Sequence, residues 1–116
     1  MTEITITLPG TDLASRTSAA TVRYNVVGSV STRNVVVVDL SAVESLSYSY
    51  ADELFGVLAA TQGFEWLIEK VKIVNIKEHV LRVIAEVVNR RLKETGQPIR
   101  RRASPTGIAT SLRSSQ

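Results

Sequence analysis

Residues Asn34 to Leu40 read Asn-Val-Val-Val-Val-Asp-Leu. Alternate side chains of a strand point to opposite faces, so four consecutive valines cannot belong to a strand with one wet face. A run of this kind is the signature of a strand covered on both sides, and such strands sit in the middle of parallel sheets. Parallel neighbours need crossover connections, usually helices. The valine run therefore predicts an α/β chain, and the flanking segments can be tested for alternation.

They alternate. Glu3-Ile4-Thr5-Ile6-Thr7-Leu8 has the period of two expected of a half-buried strand, ended by Pro9-Gly10. From about Asp12 to Val30, Leu13, Ala20, Tyr24 and Val27 recur at helical spacing, with Asp12 or Ser15 as the capping residue. Ser41 to Tyr50 reads as a polar loop. A second helix is expected from near Ser49, where Ser49 and Asp52 have the spacing of a capping box and Leu54, Val57, Leu58 and Thr61 form the core face. Gly63 is its stop. Val71 to Ile76 is the next strand, and Lys77 to Thr95 is the clearest helix, with Val80, Leu81, Ile84, Val87, Val88 and Leu92 as its stripe. Arg90, Arg91 and Lys93 suit the negative end of that helix, which Gly96 and Pro98 terminate. The order strand–helix repeated three times gives an open sheet of about four mostly parallel strands with helices mainly on one face. Ile99 is a candidate for an added edge strand.

At 116 residues the chain is one domain's length, with core enough to fold without staples. It contains no cysteine and a single histidine, His79, so disulfides, thiolate metal sites and histidine clusters are excluded as organising principles. No cofactor or metal site is expected. No apolar run approaches the ~20 residues needed to span a bilayer, and the first residues lack the character of a secretion signal, which predicts a cytoplasmic protein. The charge is divided: residues 1–89 carry seven Lys/Arg against ten Asp/Glu, whereas residues 90–116 carry seven against one. Arg100, Arg101 and Arg102 are the centre of that basic end, a candidate contact for nucleic acid through counterion release. Residues 97–116 are expected to be a basic, Ser/Thr-rich tail without fixed structure, apart from the strand that Ile99 could add.

Chemistry concentrates between Asp39 and Glu53. Asp39 ends the valine strand, and Ser47, Ser49, Asp52 and Glu53 follow at the next helix start. Ligands and partners of open α/β sheets engage this end. A helix start also favours a phosphate, which adds about −1.5 to −2 charges. Each of these residues has a plain structural use as well: Ser49 as a cap, Asp39 as a loop fastener, Asp52 and Glu53 as complements to the helix dipole. No phosphate-binding loop, dinucleotide fingerprint or nucleophile elbow is present, and no enzymatic activity is expected.

The stretch Val35 to Gly56 resembles a bacterial family of STAS-like domains of unknown function. The matching residues are Asp39, Val43, Ser47, Ser49, Tyr50, Ala51, Asp52, Glu53 and Leu54, in an apolar strand ending in Asp-Leu and a Ser-aromatic-Ala-Asp-Glu-Leu helix opening. Leu13-Ala14-Ser15-Arg16 is similar to that family's entry to its first helix, and Ile73-Val74-Asn75 to its next strand. The resemblance implies a STAS-like domain over residues 1–96. The wider STAS group includes anti-sigma factor antagonists, in which a serine at this helix start is phosphorylated by a GHKL-type kinase that is also the anti-sigma factor. The resemblance therefore implies a regulatory protein-binding module whose partner is a GHKL-type, histidine-kinase-like ATPase or anti-sigma-like protein. Ser47 and Ser49 are the phosphorylation candidates, and Asp39, Tyr48, Tyr50, Asp52 and Glu53 the partner-binding residues. Aligned without gaps on the antagonists' Asp-Ser-Ser-Gly motif, Tyr48 takes the place of the acceptor serine and Tyr50 that of the glycine. On this reading, Lys at positions 52 and 53 should abolish partner binding and leave melting almost unchanged. The alternative is a nucleic-acid-associated accessory domain acting through Arg100–Arg102.

Overall fold

The computed structural model describes residues 2–96. Strand β1 (Thr2–Thr7) is followed by the short β2 (Asp12–Leu13), helix α1 (Arg16–Ser29), β3 (Asn34–Asp39) and the short β4 (Ser45–Leu46). Helix α2 (Tyr48–Ala51) runs through a π-helical segment, Asp52–Gly56, into α3 (Val57–Gln62). Then come α4 (Phe64–Lys70), β5 (Val71–Val74) and α5 (Glu78–Thr95).

The main sheet has the order β1-β3-β5 and is parallel throughout, so the valine strand is its centre as the sequence requires. Parallel strands joined by crossovers of the usual right hand, stepping in the same direction, keep their helices on one face. The burial pattern agrees: Val36 and Val38 join the core with residues of α1, α3 and α5, while Val35 and Val37 point the other way. On that second face Glu3 and Lys72, from the two edge strands, meet at 2.9 Å across the central strand. Val35 and Val37 are buried beneath this crossing, which explains an unbroken apolar run in a sheet with helices on one side only.

Among the described residues the main sheet has three strands, and a separate parallel pair, β2–β4, lies outside it. The segment expected to be a loop, Ser41–Tyr50, contains β4 and the first residues of α2. The expected first helix begins later, at Arg16, because Leu13 pairs with Leu46 in the small sheet. Its inner face is Ala19, Val22 and Val26, one step round from the expected Ala20, Tyr24 and Val27. Tyr24 and Val27 are exposed. Gly63, with φ 99°, separates α3 from α4, and Gly96, with φ 74°, caps α5 in the left-handed region that glycine enters without strain. Phe64 and Leu67 of α4 are buried, and Trp66 packs against the core. The expectations on Ile99, on Arg100, Arg101 and Arg102, and on a tail over 97–116 lie outside the described residues.

Candidate functional site

The small sheet fixes where α2 begins. Glu44 and Ser45 both donate backbone N–H groups to Thr11 O, at 2.7 and 3.0 Å, and Ser47 N donates to Leu13 O at 2.9 Å. Ser45 Oγ reaches the Asp12 carboxylate at 2.7 Å. Ser47 then acts as the N-cap: its Oγ accepts from Tyr50 N at 3.0 Å and donates to Ala14 O at 3.3 Å. The expected cap was Ser49, with Asp52 completing its capping box. The true cap stands two residues earlier, which leaves Ser49 inside the first turn and releases Asp52 for other work.

That work is an ion-pair cluster between α1, the π-helical segment and α5. Arg91 grips Asp52 bidentately, Nε on Oδ1 and Nη2 on Oδ2, both at 2.8 Å. Arg16 bridges Asp52 and Glu53 from one nitrogen, at 3.2 and 3.1 Å. Arg23 binds the Glu53 carboxylate and also donates to the Glu53 carbonyl at 2.7 Å. A π-helical turn displaces backbone carbonyls from ordinary helical bonding, and a guanidinium meets one of them here. Gly56 makes the close approach of Arg91 feasible: a Cβ at that position would stand 2.5 Å from Asp52 Oδ1 and 3.1 Å from Arg91 Cγ. Asp52 is 9% exposed.

Both carboxylates are held below their usual range, Asp52 chiefly by the Arg91 hydrogen bonds and Glu53 chiefly by Arg23, against the opposing effect of burial. The Arg91 guanidinium is correspondingly raised by Asp52. A carboxylate whose folded pKa is depressed stabilises the fold above its unfolded value, and that stability disappears as pH falls through the folded value. Stability is therefore expected to hold from neutral pH to about 5 and to fall steadily below it. The loss should continue beneath the ordinary values of 3.8 and 4.5 for the two groups. Urea titrations at several pH values check this: Asp52→Asn should flatten the acid limb, and an unchanged limb would assign acid sensitivity to other carboxylates.

Asp39 is not drawn into this cluster. It accepts from Ser41 N at 2.9 Å and from Asn75 Nδ2 at 3.1 Å, tying the ends of β3 and β5 to the following loop. Asn75 chiefly, and then Ser41, hold its carboxyl below the usual range. Asn75 adopts φ 57°, a conformation that asparagine tolerates better than most residues. His79 places its Nε2–H on Glu44 O at 2.6 Å, which fastens the 41–46 loop to α5.

Of the residues expected to meet a partner, Tyr48 is 44% exposed, with the Arg90 guanidinium 5.8 Å from its ring. Tyr50 is 1% exposed and Asp52 is paired internally, so these two face inward. Burial raises the Tyr50 hydroxyl's pKa, and that hydroxyl has no hydrogen-bond partner among the described residues. Ser49 is half-buried and Glu53 is committed to two arginines. The sequence reading missed Arg16 and Arg23 and took Arg91 for a complement to the helix dipole. Among the described residues, no three His, Asp or Glu side chains converge as a metal site would need, and no helix is long and apolar enough to cross a membrane.

A strand–helix repeat with a parallel sheet, a capped helix opening after the central strand, and Ser-Tyr-Ala-Asp-Glu-Leu at that opening define a STAS-like domain. The chain belongs to the family described as the STAS-like domain of unknown function, whose model matches residues 18–81. That span runs from the first turn of α1 to the first turn of α5, and excludes Arg16 and Arg91. No curated protein and no solved structure matches the chain.

Proposed function

We propose that this domain is a non-enzymatic regulatory module that binds a GHKL-type ATPase or anti-sigma-like protein through the start of α2, with Tyr48 as an anchor and Ser49 as the modifiable hydroxyl. The observation that carries the reading is Tyr48: an aromatic side chain 44% exposed on a helix start that backbone bonds to Leu13 and Thr11 hold in place. Exposed tyrosines on rigid elements are favoured anchors in interfaces. Ser47 is the poorer candidate for modification because its hydroxyl is engaged in both directions. Ser49 stands at the second helical position, where unpaired N–H groups accommodate a phosphate.

Two variants separate the roles of the serines. Ser47→Ala is expected to lower stability by about 1 kcal/mol, the usual cost of losing a cap, while Ser49→Ala should leave thermal unfolding nearly unchanged. The binding test is capture from source-cell lysate with wild-type, Tyr48→Ala and Ser49→Asp baits, read by mass spectrometry. Recovery of an ATPase of this class with wild type, and its loss with both variants, supports the proposal. Capture that ignores both substitutions would refute it.

A further inference from the structure

The ion-pair cluster continues onto the surface in both directions. At one end, Arg91 is followed on the solvent side by Arg90, whose guanidinium lies 5.8 Å from the Tyr48 ring. Tyr48 and Asp52 share a face of their helical stretch, four residues apart. At the other end, Arg23 holds Glu53 and stands 5.0 Å from the ring of Tyr24. Tyr24 is 68% exposed, and Val27, one turn on, is exposed beside it. Tyr48 with Arg90 thus stands at one end of the cluster, and Glu53 leads through Arg23 to Tyr24 at the other. The three large apolar side chains that stand exposed among the described residues are Tyr24, Val27 and Tyr48, and the two tyrosines each lie against an arginine at one of these ends.

The charges along this strip do not balance. Three guanidinium groups, from Arg16, Arg23 and Arg91, pair with the two carboxylates of Asp52 and Glu53, and a fourth, from Arg90, lies over the Tyr48 ring. Arg90 has no carboxylate in ion-pair range among the described residues, Glu86 one turn earlier included. Arg16, about half exposed, engages both carboxylates through one nitrogen only. Glu94 lies within electrostatic reach of Arg91, and its neighbour Lys93 carries the opposite sign. A surface with exposed tyrosines at both ends and excess guanidinium charge between them suits a ligand that offers carboxylates flanked by apolar side chains. A polyphosphate backbone suits it less, because Asp52 and Glu53 occupy the middle of the strip.

We infer that the face formed by α1, the start of α2 and the end of α5 is a docking surface for an acidic amphipathic segment of a partner protein, with Arg90 as a contact beside Tyr48 and Tyr24 as one distant from the serine. This rests on the protein-binding reading above and extends the contact across the molecule to α1. The test uses a synthetic helical peptide with glutamate and leucine at amphipathic spacing, its lysine counterpart, and a short DNA duplex. Each is titrated into the isotopically labelled full chain while backbone amide signals are followed. Saturable shifts from the glutamate peptide, confined to residues 16–27, 48–53 and 90–91, are expected. Tyr24→Ala and Arg90→Glu should each weaken that binding by about fivefold or more, as hot-spot truncations do, with thermal unfolding unchanged. Absence of binding, shifts elsewhere, equal binding of the lysine peptide, tighter binding of DNA, or indifference to both substitutions would overturn the inference. The protein-binding reading would survive any of these if Tyr48→Ala still abolished capture of the ATPase.

Discussion

Asp52→Ala is expected to destabilise the domain by about 2–3 kcal/mol, and Asp52→Lys by more. Removing one member of a buried ion pair typically costs about 3–5 kcal/mol, because the remaining charge stays desolvated. The cost is smaller here because Arg91 and Arg16 retain contact with water, at 31% and 51% side-chain exposure. At about 4–8 °C per kcal/mol for a domain of this size, a fall in melting temperature of more than ten degrees is the readout. This reverses the expectation drawn from the sequence, in which Lys at positions 52 and 53 left melting almost untouched. Asp52 is not a free surface carboxylate. It joins α1 to α5, and a loss of partner binding on its replacement would report damage to the fold before it reported an interface. Urea unfolding with an unchanged denaturant slope checks this, and a melting shift of only a degree or two would refute the assigned role.

Gly56→Ala is the second large effect, with an expected loss of about 2–3 kcal/mol, in the range for forcing extra volume into a packed site. Glycine to alanine within a helix normally gains ~0.5–1 kcal/mol. Here the added methyl would enter the space of Asp52 Oδ1 and crowd Arg91 Cγ. The carboxylate cannot swing aside without leaving Arg91, since both of its oxygens are held. The discriminating measurement is the same substitution in an Asp52→Ala background. There the obstacle is gone, and Gly56→Ala should become neutral or mildly stabilising. Contacting residues are expected to depart from additivity in this way. Equal cost in both backgrounds would place the clash elsewhere.

The strands and the last helix were legible in the sequence because their signals were strong and local. Four valines admit few other readings, and the α5 stripe recurs over several turns. The first helix was less legible. It is rich in Thr, Ser, Ala and Val, so large residues did not mark the inner face, and the small Ala19 is buried while Tyr24 is exposed. The β2–β4 pair is two residues on each side, too short to leave a periodic trace, yet it decides which serine caps α2. With Ser47 and Ser49 two residues apart, local rules favoured the one followed by Asp at capping-box spacing. That carboxylate was instead claimed by Arg91, 39 residues later in the chain, and no local pattern announces such a pairing.

The same long-range tie has a kinetic consequence. Among the described residues every pairing between strands is parallel, so none of them forms a hairpin to start folding and each ladder waits for a helical crossover to close. The bidentate partner of the Asp52 carboxylate is absent until α5 arrives. Its docking is then the step at which charges are dehydrated and matched together. The rate of that step should carry a salt dependence that the earlier pairing of valines lacks. A chain emerging from synthesis would hold its three strands in reach of one another well before the arginine that seals them.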